Sequence, residues 1–140
     1  MIVNLRRYAA VYVVTLIVGA VLIAALRHFT GLDLATSFIP LLPAMCAAMY
    51  EGNKQAIEGA PAPKGKAAWI ECARMTGIAL GFNILLGLVV FASLMRGQLQ
   101  MQPILWFLGF LALYSVLWLV TNRIFLGMGY KNASSAAKKR

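Results

Sequence analysis

The sequence predicts an all-α membrane protein with four transmembrane helices and both termini in the cytoplasm. Three observations carry that prediction. Four apolar runs, Tyr8 to Leu26, Leu32 to Tyr50, Met75 to Met95 and Pro103 to Thr121, are each close to the ~20 residues a helix needs to cross a bilayer core. The composition is 61% apolar and only 12% charged, against roughly 45–50% and about 25% in a soluble domain. The cationic residues are also one-sided. With the spans so placed, Arg6, Arg7, Lys54, Lys64, Lys66, Arg74, Arg123, Lys131, Lys138, Lys139 and Arg140 fall on one side, and only Arg27 and Arg96 on the other. The positive-inside rule assigns the richer side to the cytoplasm.

The first run follows Arg6 and Arg7 as a secretory signal would, but it exceeds the ~7–15 residues of a signal core and lacks a small-x-small cleavage site. It reads as a retained span. Phe29-Thr30-Gly31 is too short to recross the membrane, so the first two spans form an antiparallel hairpin. Asp33 suits the positive end of the second helix dipole and lies within reach of Arg27 or His28. Pro40 and Pro43 each remove a backbone donor, which predicts a kink in the second span.

Between Glu51 and Ala68 the glycines and prolines predict an irregular loop, with Lys64 and Lys66 facing anionic lipid heads. Gly65-Lys66 lacks the glycine spacing of a phosphate loop. Trp69 opens the third helix at interfacial depth, and Trp106 and Trp118 fit the two aromatic belts. Pro103 suits the first turn of the fourth span. Residues 1–126 thus form one bundle, and the basic segment 127–140 is expected to be disordered. Its Asn132-Ala133-Ser134 sequon is idle on the cytoplasmic side.

Few residues suggest chemistry. Ala73, Gly77 and Gly81 recur every four residues, the spacing at which small side chains let another helix approach closely in lipid. The stripe is expected to receive either a neighbouring span or a second protein. Asn83, deep in the third span, needs a polar partner, for which Thr15 and Ser115 are candidates. Glu71 and Arg74 share a helix face, and Glu51 is placed to complete an interfacial charge cluster with them. Cys46 and Cys72 match no metal or redox spacing and are read as free thiols. His28 is the only histidine and reads as a solvated loop residue.

No Asp, Glu, Lys, Arg or His occupies the centre of a span, which argues against ion-coupled transport. The layout is that of the small multidrug transporters, but the acidic residue they carry in the first span is missing. No nucleophile–base pair or metal set is visible, so no catalytic, cofactor or metal residue is assigned. The net charge of +9 sits at span ends beside lipid, so membrane lipids rather than nucleic acid are the expected partners.

Pro43-Ala-Met-Cys-Ala-Ala-Met-Tyr-Glu-Gly52, followed by a proline-containing loop and Trp69-Ile-Glu-Cys-Ala-Arg74, resembles a family of small four-span bacterial inner-membrane proteins of uncharacterised function. The resemblance implies a bacterial inner membrane and no catalytic residues. The function expected is that of a non-enzymatic accessory or assembly subunit packing against a larger membrane complex. The alternative is a homo-oligomeric channel or transporter lined by Pro40, Pro43 and Asn83.

Overall fold

The computed structural model describes residues 3–31, 39–94 and 101–137, and among these every regular element is helical. The elements are α1 (Leu5–Thr30), a 3-10 turn (Ile39–Leu41), α2 (Leu42–Ile57), α3 (Gly65–Leu94) and α4 (Met101–Ala137). Asn4 caps α1 by accepting from the Arg7 N–H at 3.1 Å. Gly31, at φ 67°, ends the helix in the left-handed conformation that glycine adopts without steric penalty. Asp33 and Arg96 lie outside the described residues.

Three of the four helices, α1, α3 and α4, are long and apolar enough to cross a membrane. Only 6% of the most apolar stretch of α1 is buried inside the molecule, and 17% of those of α3 and α4. Val14, Val21, Leu88, Leu105 and Leu113 are exposed with many similar residues. Apolar surface this extensive needs an apolar solvent. The protein is therefore a helical membrane protein.

The second predicted span takes a different form. Its first residues, 32–38, lie outside the described residues, and after the 3-10 turn α2 begins at Leu42. Pro40 is part of the 3-10 turn and Pro43 stands in the first turn of α2, and the residues that would form the helix on the far side of the predicted kink lie outside the described residues. A first-turn proline lacks an N–H that would have no intrahelical partner anyway, so Pro43 suits the start of α2. The helix also runs on to Ile57, and α3 begins at Gly65, which confines the irregular loop to residues 58–64.

With 16 residues including Glu51 and Lys54, α2 is the least apolar helix and the most enclosed. Its buried stripe, Pro43, Ala44, Ala47, Ala48, Glu51 and Gly52, repeats at three- and four-residue intervals. The partner stripe on α4 is Leu111, Tyr114, Trp118, Asn122, Leu126 and Gly129. Trp118 accordingly leaves the predicted aromatic belt for the core. It is fully buried, and its indole N–H donates to the Pro40 carbonyl at 3.0 Å. Trp106 remains exposed.

Two glycines allow this contact. A Cβ on Gly52 would collide with the backbone at Leu126 and Tyr130, and one on Gly129 with the backbone of Met49. Beyond that crossing the expected disordered tail is helical as far as Ala137, and the Tyr130 hydroxyl donates to the Ala60 carbonyl at 2.8 Å. Contact with α2 and the loop after it supplies packing that the polar composition of the segment does not reveal. Residues 138–140 lie outside the described residues.

The helices alternate in direction. Arg7 at the start of α1 meets Glu51 and Glu58 at the end of α2, Thr76 of α3 meets Asn122 of α4, and Gly87 faces Phe107. The start of α1, the end of α2, the start of α3 and the end of α4 therefore share one end of the bundle. Arg6, Arg7, Lys54, Lys66, Arg74 and Arg123 belong to that end, and Arg27 to the other.

Gly52→Ala or Gly129→Ala should lower stability by about 1–3 kcal/mol, because each forces α2 from α4. Gly77→Ala has open space around it and should be neutral or slightly stabilising. Thermal unfolding in one detergent compares the three.

Candidate functional site

Three constellations merit attention: a carboxylate clamp at the charged end, a buried polar ladder, and a trough toward the opposite end.

Fully buried Glu51 is the centre of the clamp. Its Oε2 accepts from Arg7 Nε at 2.7 Å, and its Oε1 from Arg7 Nη2 at 2.9 Å and from the Asn4 N–H at 3.0 Å. Arg7 Nη1 also donates to Glu58 Oε1 at 2.6 Å. Planar guanidinium geometry makes such forked contact possible. The predicted cluster of Glu51, Glu71 and Arg74 is thus divided. Arg74 pairs with Glu71 at 3.0 Å three residues away, while Glu51 is taken by α1. The α1 helix brings a cation under the end of α2, a juxtaposition set by the antiparallel hairpin and invisible in local spacing.

Arg7, and to a lesser extent Lys54, holds the exposed Glu58 carboxyl below its ordinary pKa. The contribution of that carboxylate to folding is present above the ordinary value and lost as pH falls through the lowered one.

The ladder crosses the core above the clamp. The Tyr8 hydroxyl donates to Asn122 Oδ1 at 2.9 Å, Asn122 Nδ2 donates to Thr76 Oγ1 at 3.2 Å, and Thr76 donates to the Cys72 carbonyl at 2.9 Å. Two of these bonds join three helices in series, and the third anchors Thr76 within α3. The sequence offered no pattern for Asn122, which falls just past the predicted fourth span. Asn83 donates to the Tyr12 hydroxyl at 3.0 Å and to the Ala79 carbonyl at 2.8 Å. Neither expected partner is used, since Ser115 donates to the Ala112 carbonyl of its own helix and Thr15 lies on a cavity wall. Tyrosine was the unrecognised donor–acceptor type, because Tyr8 and Tyr12 read as members of an apolar run. Cys46 and Cys72 are both free.

The cavity is a trough of about 850 Å³ between α1, the start of α2 and α3. From Tyr12 through Thr15, Gly19 and Ile23 to Arg27 and His28, α1 supplies one wall at three- and four-residue spacing. Pro40, Pro43, Asn83 and Leu86 contribute the others. His28 occupies the last turn of α1 rather than a loop. Such a volume falls within the range of small-molecule sites. Among the described residues no group of three or more His, Cys, Asp or Glu could hold a metal ion.

Among the described residues, the Ala73, Gly77 and Gly81 face does not receive a helix of this chain. All three residues are exposed, and nothing lies within 4 Å of a Cβ built on either glycine. The close helix crossing uses Gly52 and Gly129 instead, where Gly52 continues the four-residue series Ala44, Ala48 of α2. Beside the stripe, Thr76, Leu80, Ser115 and Leu119 continue a shallow groove of about 250 Å³ between α3 and α4. Compared with protein-family models, curated proteins and solved structures, the chain matches none.

Arg7→Met should destabilise the protein by about 3 kcal/mol, because it strands the buried Glu51 charge, while the Arg7→Met/Glu51→Leu pair should recover most of the loss. Tyr8→Phe leaves the buried Asn122 carbonyl without its donor and should cost about 1–3 kcal/mol. Chemical or thermal unfolding of the purified chain measures both.

Proposed function

We propose that this protein is a non-enzymatic four-span subunit of the bacterial inner membrane, with both termini cytoplasmic, that docks on a larger membrane complex. The observation that carries the docking role is the exposed Ala73, Gly77 and Gly81 face, continuous with the groove beside Ser115. In lipid, helices associate through close backbone approach and dispersion rather than through release of water. A small-residue face left open by the described helices therefore suits a helix from elsewhere. The fourth crossing would be made by α2 together with the residues before it. Cations gathered at one end of the bundle favour placing that end in the cytoplasm. The resemblance to small four-span inner-membrane proteins is carried by Pro43 to Gly52 and Trp69 to Arg74.

A second reading, a homo-oligomeric channel or transporter, draws support from the trough bordered by Pro40, Pro43 and Asn83.

Extraction of the tagged chain with its native lipid should co-purify a membrane protein in fixed ratio. Gly77→Ile should abolish that association without lowering the helix content of the chain. Recovery of a homogeneous monomer with no companion would refute the docking role. A discrete homo-oligomer whose liposome flux falls in Asn83→Leu would establish the second reading in its place.

A further inference from the structure

The trough has features that the docking role does not use. Its α1 wall is chemically graded: Thr15 lies near its inner end, Leu16, Gly19, Ala20 and Ile23 follow, and Arg27 with His28 stands at the outer end. Fifteen residues of helix separate Tyr12 from Arg27, a rise of about 22 Å. That is most of one leaflet plus its headgroup layer.

The width of the trough is made by small side chains. Gly19 has nothing within 4 Å of a built Cβ, although glycine in a helix interior is about 1 kcal/mol less favourable than alanine. Opposite, the proline-started end of α2 presents Pro40, Leu42 and Pro43. The inner end is closed by Asn83, whose amide already donates to Tyr12 and to the Ala79 carbonyl. An entering molecule therefore meets a stop there whose donors are engaged. The unlike, charged part of the trough is the rim.

We infer that the trough is a binding site for one acyl chain of an anionic phospholipid, with the phosphate held at the rim by Arg27 and His28. Charge complementarity selects this occupant. A guanidinium binds phosphate oxygens through paired charge-assisted hydrogen bonds, while the apolar walls supply only shape and dispersion to the chain. The trough is open along one side to the surrounding lipid, so the second acyl chain remains in the bilayer. Anionic lipid is present in the membrane already oriented, chain parallel to α1 and head level with its last turn. This site lies at the end of the bundle opposite the cationic cluster, so its occupancy is separable from general attraction of that cluster for acidic lipid.

Native mass spectrometry of the delipidated full chain, titrated with phosphatidylglycerol or with phosphatidylcholine of the same chain length, tests the inference. One phosphatidylglycerol should bind about tenfold more tightly than phosphatidylcholine. Arg27→Gln should remove that preference while both lipids still bind. Gly19→Leu fills the trough and should weaken both lipids about tenfold, whereas Val18→Leu, on an exposed position of the same helix, should weaken neither. Equal affinity for the two lipids in the unaltered chain would overturn the inference. Undiminished preference in Arg27→Gln would do the same, and decides the matter if Gly19→Leu does not fold. Because none of these measurements involves the Gly77 face, the outcome is independent of whether a protein partner exists.

Discussion

The structure depends on how closely α2 can lie against α4. Neither helix gains from the hydrophobic effect once both are surrounded by lipid, so their attraction comes from dispersion and from polar groups that lipid cannot satisfy. Gly52 and Gly129 bring the two backbones to a separation that no Cβ would permit. Once α2 is seated there, Trp118 reaches Pro40, Tyr130 reaches Ala60, and Glu51 lies beneath Arg7. The least apolar helix thereby becomes the enclosed one, and the three strongly apolar helices keep their greasy surfaces for the membrane.

Polar side chains secure what dispersion alone leaves loosely specified. Each buried polar group is a liability in a low-dielectric interior and a source of specificity once partnered. Tyr8, Asn122 and Thr76 tie three helices at one level, and Tyr12 with Asn83 ties α1 to α3 farther along. The Arg7 and Glu51 pair works at the charged end, where a mismatch would leave an ion without a counterion. Clamp, ladder and glycine crossing all lie in the half of the bundle that holds the chain's two described ends. In the opposite half the Trp118 indole holds the Pro40 carbonyl at the approach to α2, and the described helices open into the trough.

Small residues do three different jobs in the molecule. At Gly52 and Gly129 they admit a backbone of the same chain, at Gly19 they make room inside a trough, and at Gly77 and Gly81 they remain on the outer surface. The sequence motif associated with helix packing is the last of these, so its presence gives no indication that the packing partner belongs to the same chain. Gly52 and Gly129 perform the internal role at the point of closest approach, beyond the buried alanines Ala44, Ala47 and Ala48 of α2.

Composition and the length of the apolar runs determined the solvent and the helical class, since both follow from sums over many residues that no single contact can reverse. The alternating direction of the helices and the gathering of cations at one end were also legible, because short connections leave little choice of topology. Local spacing located Asn83 but not Tyr12 as its partner, and placed Glu51 near an interface but not under Arg7. It read residues 127–137 as disordered where they continue α4 as a helix, with Gly129 packed on α2. Those outcomes rest on which helix faces meet, and rotation about a helix axis in lipid is governed by side-chain and backbone fit between distant segments. Only the tertiary structure contains that fit.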